Sequence, residues 1–127
     1  MRLPPKYGRV WRQRIVPAVL RRDVRICHIC GHPGADTADH LFPVAEMNDE
    51  QFKRLMMDPA NLKAAHHKPC EICSALSEAR GNGPIRCNPL RGALSLERVR
   101  RIINKRTGQH LDEGTARPGP SSEGREW

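Results

Sequence analysis

Apolar residues first recur at helical spacing between Gly8 and Asp23. Trp11, Ile15, Val16, Val19 and Leu20 fall on one face there, among Arg9, Arg12, Arg14, Arg21 and Arg22. The pattern predicts an amphipathic helix lying over a core. Pro17 inside it predicts a kink or a split, because proline removes a helical hydrogen bond and its ring crowds the preceding turn. Residues 1–8, polar and broken by prolines, read as a leader. Thr37 to Val44 and Asn61 to Ala65 have the character of short strands. Between them Asn48 is placed to cap a helix over 49–57, with Phe52, Leu55 and Met56 apolar and Asp58-Pro59 ending it. Ser95 opens a last helix to about Arg106, with Leu96, Val99, Ile102 and Ile103 inward and Arg98, Arg100, Arg101, Lys105 and Arg106 outward. Residues 68–86 include the loop sequence Gly81-Asn82-Gly83-Pro84 and read as an inserted lobe within a single domain over 9–107. From Gly108 the composition turns to Gly, Pro, Ser and charge, so 108–127 reads as a disordered tail.

Composition sharpens this picture. Only 38% of the 127 residues are hydrophobic and 4% aromatic, so the core is thin. A small domain with a thin core needs a staple, such as a metal. The formal net charge of +8 points to a polyanion, with a merely solvated basic surface as the plain alternative. No apolar run approaches the roughly 18 residues of a membrane helix. The charged N-terminus has no apolar segment behind it. The expectation is a soluble, cytoplasmic chain, including one made inside a cell by a virus.

The five cysteines are odd in number and come partly as Cys-x-x-Cys pairs, which favours zinc-binding thiols over disulfides. Cys27-His28-Ile29-Cys30-Gly31 is one metal knuckle and Cys70-Glu71-Ile72-Cys73 a second. Four soft ligands, Cys27, Cys30, Cys70 and Cys73, suit a closed, structural, tetrahedral zinc site. His66 and Cys87 are spare ligands able to displace one of the four, and ordinary buried thiols are the alternative to the whole site.

Asp39-His40, followed by Pro43, is a different signal. Alone it is weak, but Asn61-Leu62, His66, Cys87-Asn88 and Arg91-Gly92 follow in order. The ordered set Cys-x-x-Cys, Asp-His-x-x-Pro, Asn-Leu, His, Cys-Asn-x-x-Arg-Gly resembles HNH endonucleases, particularly the small ones of bacteriophages and their actinobacterial hosts. The likeness spans roughly Trp11 to Arg106.

That resemblance implies an α+β fold of the ββα-metal type, with an N-terminal amphipathic helix, a zinc staple and a C-terminal helix. It implies a phosphodiester hydrolase that nicks or cuts DNA, leaving 3′-hydroxyl and 5′-phosphate ends. By resemblance His40 is the general base, Asp39 a ligand of the catalytic ion, Asn61 the residue that holds the active-site loop, and Asn88 the second protein ligand. The ion would be Mg²⁺, Mn²⁺ or Ni²⁺, beside a structural zinc. Imidazole suits deprotonation of water near neutral pH, and a hard cation held by oxygen suits the charge on phosphate. Arg12, Arg22 and Arg91 are candidate DNA contacts, Arg91 also adding positive potential at the phosphate. Phage relatives suggest terminase or packaging proteins as partners, by analogy alone.

The sequence departs from the family between His66 and Cys87, where an extra segment intervenes. In an interrupted register Asn88 opens the catalytic helix and Cys70/Cys73 belong to the insert. In a compact one Ser74 takes the metal-ligand position, which is poorer chemistry. Two other classes also remain open: a zinc-stapled nucleic-acid-binding module without catalysis, and a protein-interaction adaptor. The first explains charge and cysteines but not Asp39-His40, Asn61 and Asn88 together.

Overall fold

A computed structural model describes residues 5–113. Its first helical stretch runs as α1 (Pro5–Val10), a π-helical turn (Trp11–Ile15) and α2 (Val16–Arg22). Pro17 therefore neither ends nor sharply breaks the helix. It sits in the first turn of α2, and the widened turn before it absorbs the missing hydrogen bond. Helix begins at Pro5, inside the stretch expected to be a leader; residues 1–4 lie outside the described residues.

The chain leaves α2 through Asp23, whose carboxylate accepts from Arg22 and from the backbone N–H of Ala64 at 2.9 Å. The knuckle follows as a tight reversal closed by a bridge between Ile26 and Pro33, and docks through His28 N–H to the carbonyl of Ala64. β1 (Thr37–His40) and β2 (Leu62–Ala65) then pair antiparallel, with Asp39 opposite Lys63 and His40 opposite Leu62. β1 stops at His40, short of Val44, because the facing segment turns helical at Pro59–Asn61 and the Phe42 N–H goes to the Asn61 side chain. The excursion between the strands carries α3 (Asp49–Leu55), started by a reciprocal capping box between Asn48 and Gln51.

Three helices complete the domain: α4 (Glu71–Ala79), α5 (Cys87–Arg91) and α6 (Leu96–Thr107). α4 occupies the segment expected to be an inserted lobe, yet it packs against α6 and buries Cys73, Ser74 and Ser77. Ser95 caps α6, and Gly108 closes it in the left-handed region at φ 79°, where a Cβ would meet Arg80 at 2.7 Å. The segment expected to be a tail starts ordered. Leu111 exchanges backbone bonds with the Asn104 side chain at 2.8 and 2.9 Å and packs on the core. Residues 114–127 lie outside the described residues.

The molecule is thus a small α+β domain with a two-stranded sheet, α2 lying over both strands, and a core rich in alanine and cysteine. Among the described residues no helix is long and apolar enough to cross a membrane.

Candidate functional site

All five cysteines are buried free thiols. Gly31 at φ 78° reverses the knuckle, and the Cys27 N–H donates to the carbonyl of His32 at 3.0 Å, which turns that histidine back toward the sulfurs. β2 delivers His66 at its end, the N-terminus of α4 delivers Cys70 and Cys73, and the first residue of α5 is Cys87. The ligand atoms converge as two groups, Cys27/Cys30/His66/Cys87 and Cys30/His32/Cys70/Cys73, each with its atoms within 4.8 Å of one another.

The expected set of four thiolates is therefore divided. Cys27 faces Cys87 and His66, while Cys70 and Cys73 face His32, so each group includes an imidazole. His66 and Cys87 stand among the donors. His32 was not anticipated as one; its only signal is the Gly-His that follows the first Cys-x-x-Cys.

His66 Nε2–H donates to the Pro33 carbonyl at 2.9 Å, which leaves Nδ1 facing Cys30 Sγ at 3.6 Å. A second partner that fixes the tautomer is typical of metal-bound histidine. Burial lowers the affinity of His66 for a proton, but the sulfurs of Cys27 and Cys70 and the Pro33 carbonyl outweigh it and raise its pKa to about 10. Hydrogen bonds from Cys30 and Cys87 hold the Cys27 thiol well below the usual range, while its sulfur neighbours push Cys30 well above it. Buried thiolates and imidazoles at this spacing could hold a metal ion such as zinc.

A second cluster lies at the end of β1. Asp39, His40 and Asn88 line one open cavity of about 250 Å³, together with Pro43, Val44, Ala45, Gly92 and Ala93. Trp11 stacks on the His40 ring at 5.2 Å and 8° between planes, which is where the π-helical turn aims it. His40 Nε2–H donates to the Met56 carbonyl at 2.8 Å, so the free lone pair is on Nδ1. Burial lowers the His40 pKa from its ordinary 6.5, against opposing pulls from the Met56 carbonyl and Asp39.

Asp39 is buried, and its Oδ2 accepts from His28 Nε2 at 2.8 Å and from Arg91 Nη1. Among the described residues nothing bonds Oδ1, so one carboxylate oxygen is uncommitted. Asn61 is buried away from the cavity. Its Oδ1 accepts from Phe42 N–H at 2.9 Å, and its Nδ2 donates to the carbonyls of Phe42 and Leu55, each at 3.4 Å. It ties together both ends of the excursion between the strands. Asn88 is fixed through its backbone N–H on the His66 carbonyl at 2.8 Å. Ser74, the alternative to Asn88, is instead buried against Ile85, accepting its N–H at 3.0 Å. His28 was not anticipated beside Asp39; only its place inside the knuckle hints at it.

Of the three arginines expected on DNA, one is buried and one, though exposed, is committed to partners within the domain. Arg91 is 5% exposed and donates to Asp39 and to the carbonyls of His40, Leu41 and Leu94. Its guanidinium is spent on buried oxygens, so it supplies positive potential beneath Asp39 and not a surface contact. Arg22 binds Asp23 and the carbonyls of Pro59 and Leu62, bracing α2 against β2. Arg12 is exposed, with no hydrogen bond among the described residues.

The chain matches no protein-family model, no curated protein and no solved structure. The likeness to HNH endonucleases rests on the order and spacing of residues in the sequence alone.

Proposed function

We propose that the protein is a metal-dependent DNA endonuclease, with β1, β2 and α5 as a ββα-metal core. One observation carries this reading: Asp39, His40 and Asn88, far apart in sequence, line a single open cavity in a basic protein. Arg91 and His28 fix the orientation of Asp39. His40, held by Trp11 and the Met56 carbonyl, keeps Nδ1 free to take a proton from water attacking a phosphodiester. Its lowered pKa keeps the ring neutral, as a base must be. The uncommitted oxygen of Asp39 and the side chain of Asn88 are the oxygen donors a hard cation requires. Such a divalent ion would stabilise charge on the phosphate and on the leaving oxygen. Asn61 acts at one remove, by holding the loop that forms one wall of the cavity.

The test is nicking of supercoiled plasmid with Mg²⁺, Mn²⁺ or Ni²⁺, comparing the wild type with His40→Ala at equal DNA occupancy. Cleavage that depends on metal and disappears in the variant, with binding retained, is the expected result. Equal cleavage by both proteins rejects His40 as the base. Binding without cleavage in any of the three metals replaces the enzyme with a zinc-stapled nucleic-acid-binding module.

A further inference from the structure

The two groups of soft ligands have one member in common. We infer that Cys30 Sγ bridges two metal ions, so that Cys27, Cys30, His32, His66, Cys70, Cys73 and Cys87 form one dinuclear zinc cluster. This does not depend on the nuclease reading.

Geometry supports it first. Zinc–sulfur and zinc–nitrogen bonds of about 2.3 and 2.05 Å place two sulfurs of one tetrahedron about 3.8 Å apart, and a sulfur and a nitrogen about 3.5 Å apart. Cys30 Sγ is 3.6 Å from His66 Nδ1 and 3.9 Å from Cys70 Sγ, so it sits on an edge of each group. His32 Nδ1 is 3.6 Å from Cys70 Sγ and 3.4 Å from Cys73 Sγ, again edge lengths. These separations are longer than most hydrogen bonds and fit side chains arranged around a common centre.

Donor count supports it next. One tetrahedral ion uses four donors, which would leave three of these seven clustered side chains without a role. Two tetrahedral ions need one donor more than the seven supply, and sharing Cys30 provides it. Thiolate can bridge because its sulfur carries more than one lone pair; imidazole Nδ1 cannot.

Charge agrees. Five thiolates around a single divalent ion would bury a large negative charge, whereas two such ions bring the cluster within about one charge of neutral. The remainder is met by N–H donors to sulfur, from the Cys73 backbone to Cys70 at 3.4 Å and from Gln109 to Cys73 at 3.3 Å. Loading exchanges thiol protons, released to solvent, for divalent ions, and no electron is transferred. The ion held by Cys27, Cys30, His66 and Cys87 would join the end of β2 to the start of α5, beside Asn88. The other would join the knuckle to α4.

The test is native mass spectrometry of the reduced full chain, titrated with zinc, together with ¹¹³Cd NMR of the cadmium-loaded protein. Two metals per chain are expected, and two cadmium resonances split by coupling through the shared sulfur. Cys87→Ser and Cys73→Ser should each reduce the content to one, by removing different ions. Saturation of the wild type at one metal overturns the proposal. Two resonances without mutual coupling overturn the bridge, leaving separate sites. Both wild-type measurements stand even if a variant fails to fold.

Discussion

Val24 carries a β-branched side chain at φ 46°, and Arg25 follows at φ 56°. Both lie in the left-handed region, which costs a non-glycine residue about 1–2 kcal/mol, and a β-branched one more. Val24 is 73% exposed, so its side chain recovers little by burial. The surroundings impose this backbone: Asp23 is fixed by Arg22 and Ala64, and Ala35 N–H bonds the Arg25 carbonyl at 3.0 Å. Val24→Asn, which tolerates this region, should raise the unfolding free energy by about 1 kcal/mol in a denaturant titration at saturating zinc. Arg91 is the opposite case. Its planar fork reaches four residues' oxygens from a buried position, and an ammonium cannot match that geometry. Arg91→Lys is expected to cost about 3 kcal/mol on the same titration, since it leaves buried oxygens unpaired.

At the level of elements, the excursion between β1 and β2 hangs on Asn61. Removing its side chain leaves Phe42 N–H without a partner, a loss of about 1–3 kcal/mol. Hydrogen exchange should show Asn61→Ala freeing residues 41–60 while the cysteine-bearing segments keep their protection; equal loosening of both would place its role in the core. Parts of this architecture are written plainly in the chain. Asn48 announces α3, and Ser95 and Gly108 bracket α6, whereas β1 (Thr-Ala-Asp-His) and β2 (Leu-Lys-Ala-Ala) show only a short extended character. α4 is obscured because its buried face is Cys73, Ser74 and Ser77, which no hydropathy pattern registers as a core stripe. α5, at five residues, is too short for any period to appear. At the site, Asp39, His40, Asn61 and Asn88 can be picked out by type and order. The burial of Arg91 and the commitment of the exposed Arg22 to Pro59 and Leu62 cannot, since an arginine's partners are set by distant carbonyls. Nor can the split of the cysteines into two groups, because sequence spacing does not say which way Cys30 faces.

For the molecule as a whole, the deciding quantity is how little apolar bulk the core contains. Beside larger side chains such as Ile29, Leu62, Ile85 and Ile103, nine of the 17 buried hydrophobic residues among those described are alanine or cysteine. Side chains of that size remove little area from water, so hydrophobic burial alone is a weak counterweight to chain entropy. The candidate donors come from the knuckle, the end of β2, α4 and α5, so a bound metal would tie together segments that otherwise touch through small residues. Metal binding and folding should then be one process. Stripping the reduced protein with a strong chelator should collapse its helical circular dichroism and abolish a cooperative melt. Zinc should restore both, each site adding about 2.7 kcal/mol when free zinc is 100-fold above its dissociation constant. Mg²⁺ at millimolar concentration should not, because sulfur and imidazole donors bind a hard cation poorly. That contrast separates the cluster from the oxygen-lined cavity at Asp39 and Asn88. A chelated protein that still melts cooperatively at an unchanged temperature would show that α4, α5 and the sheet hold together without metal.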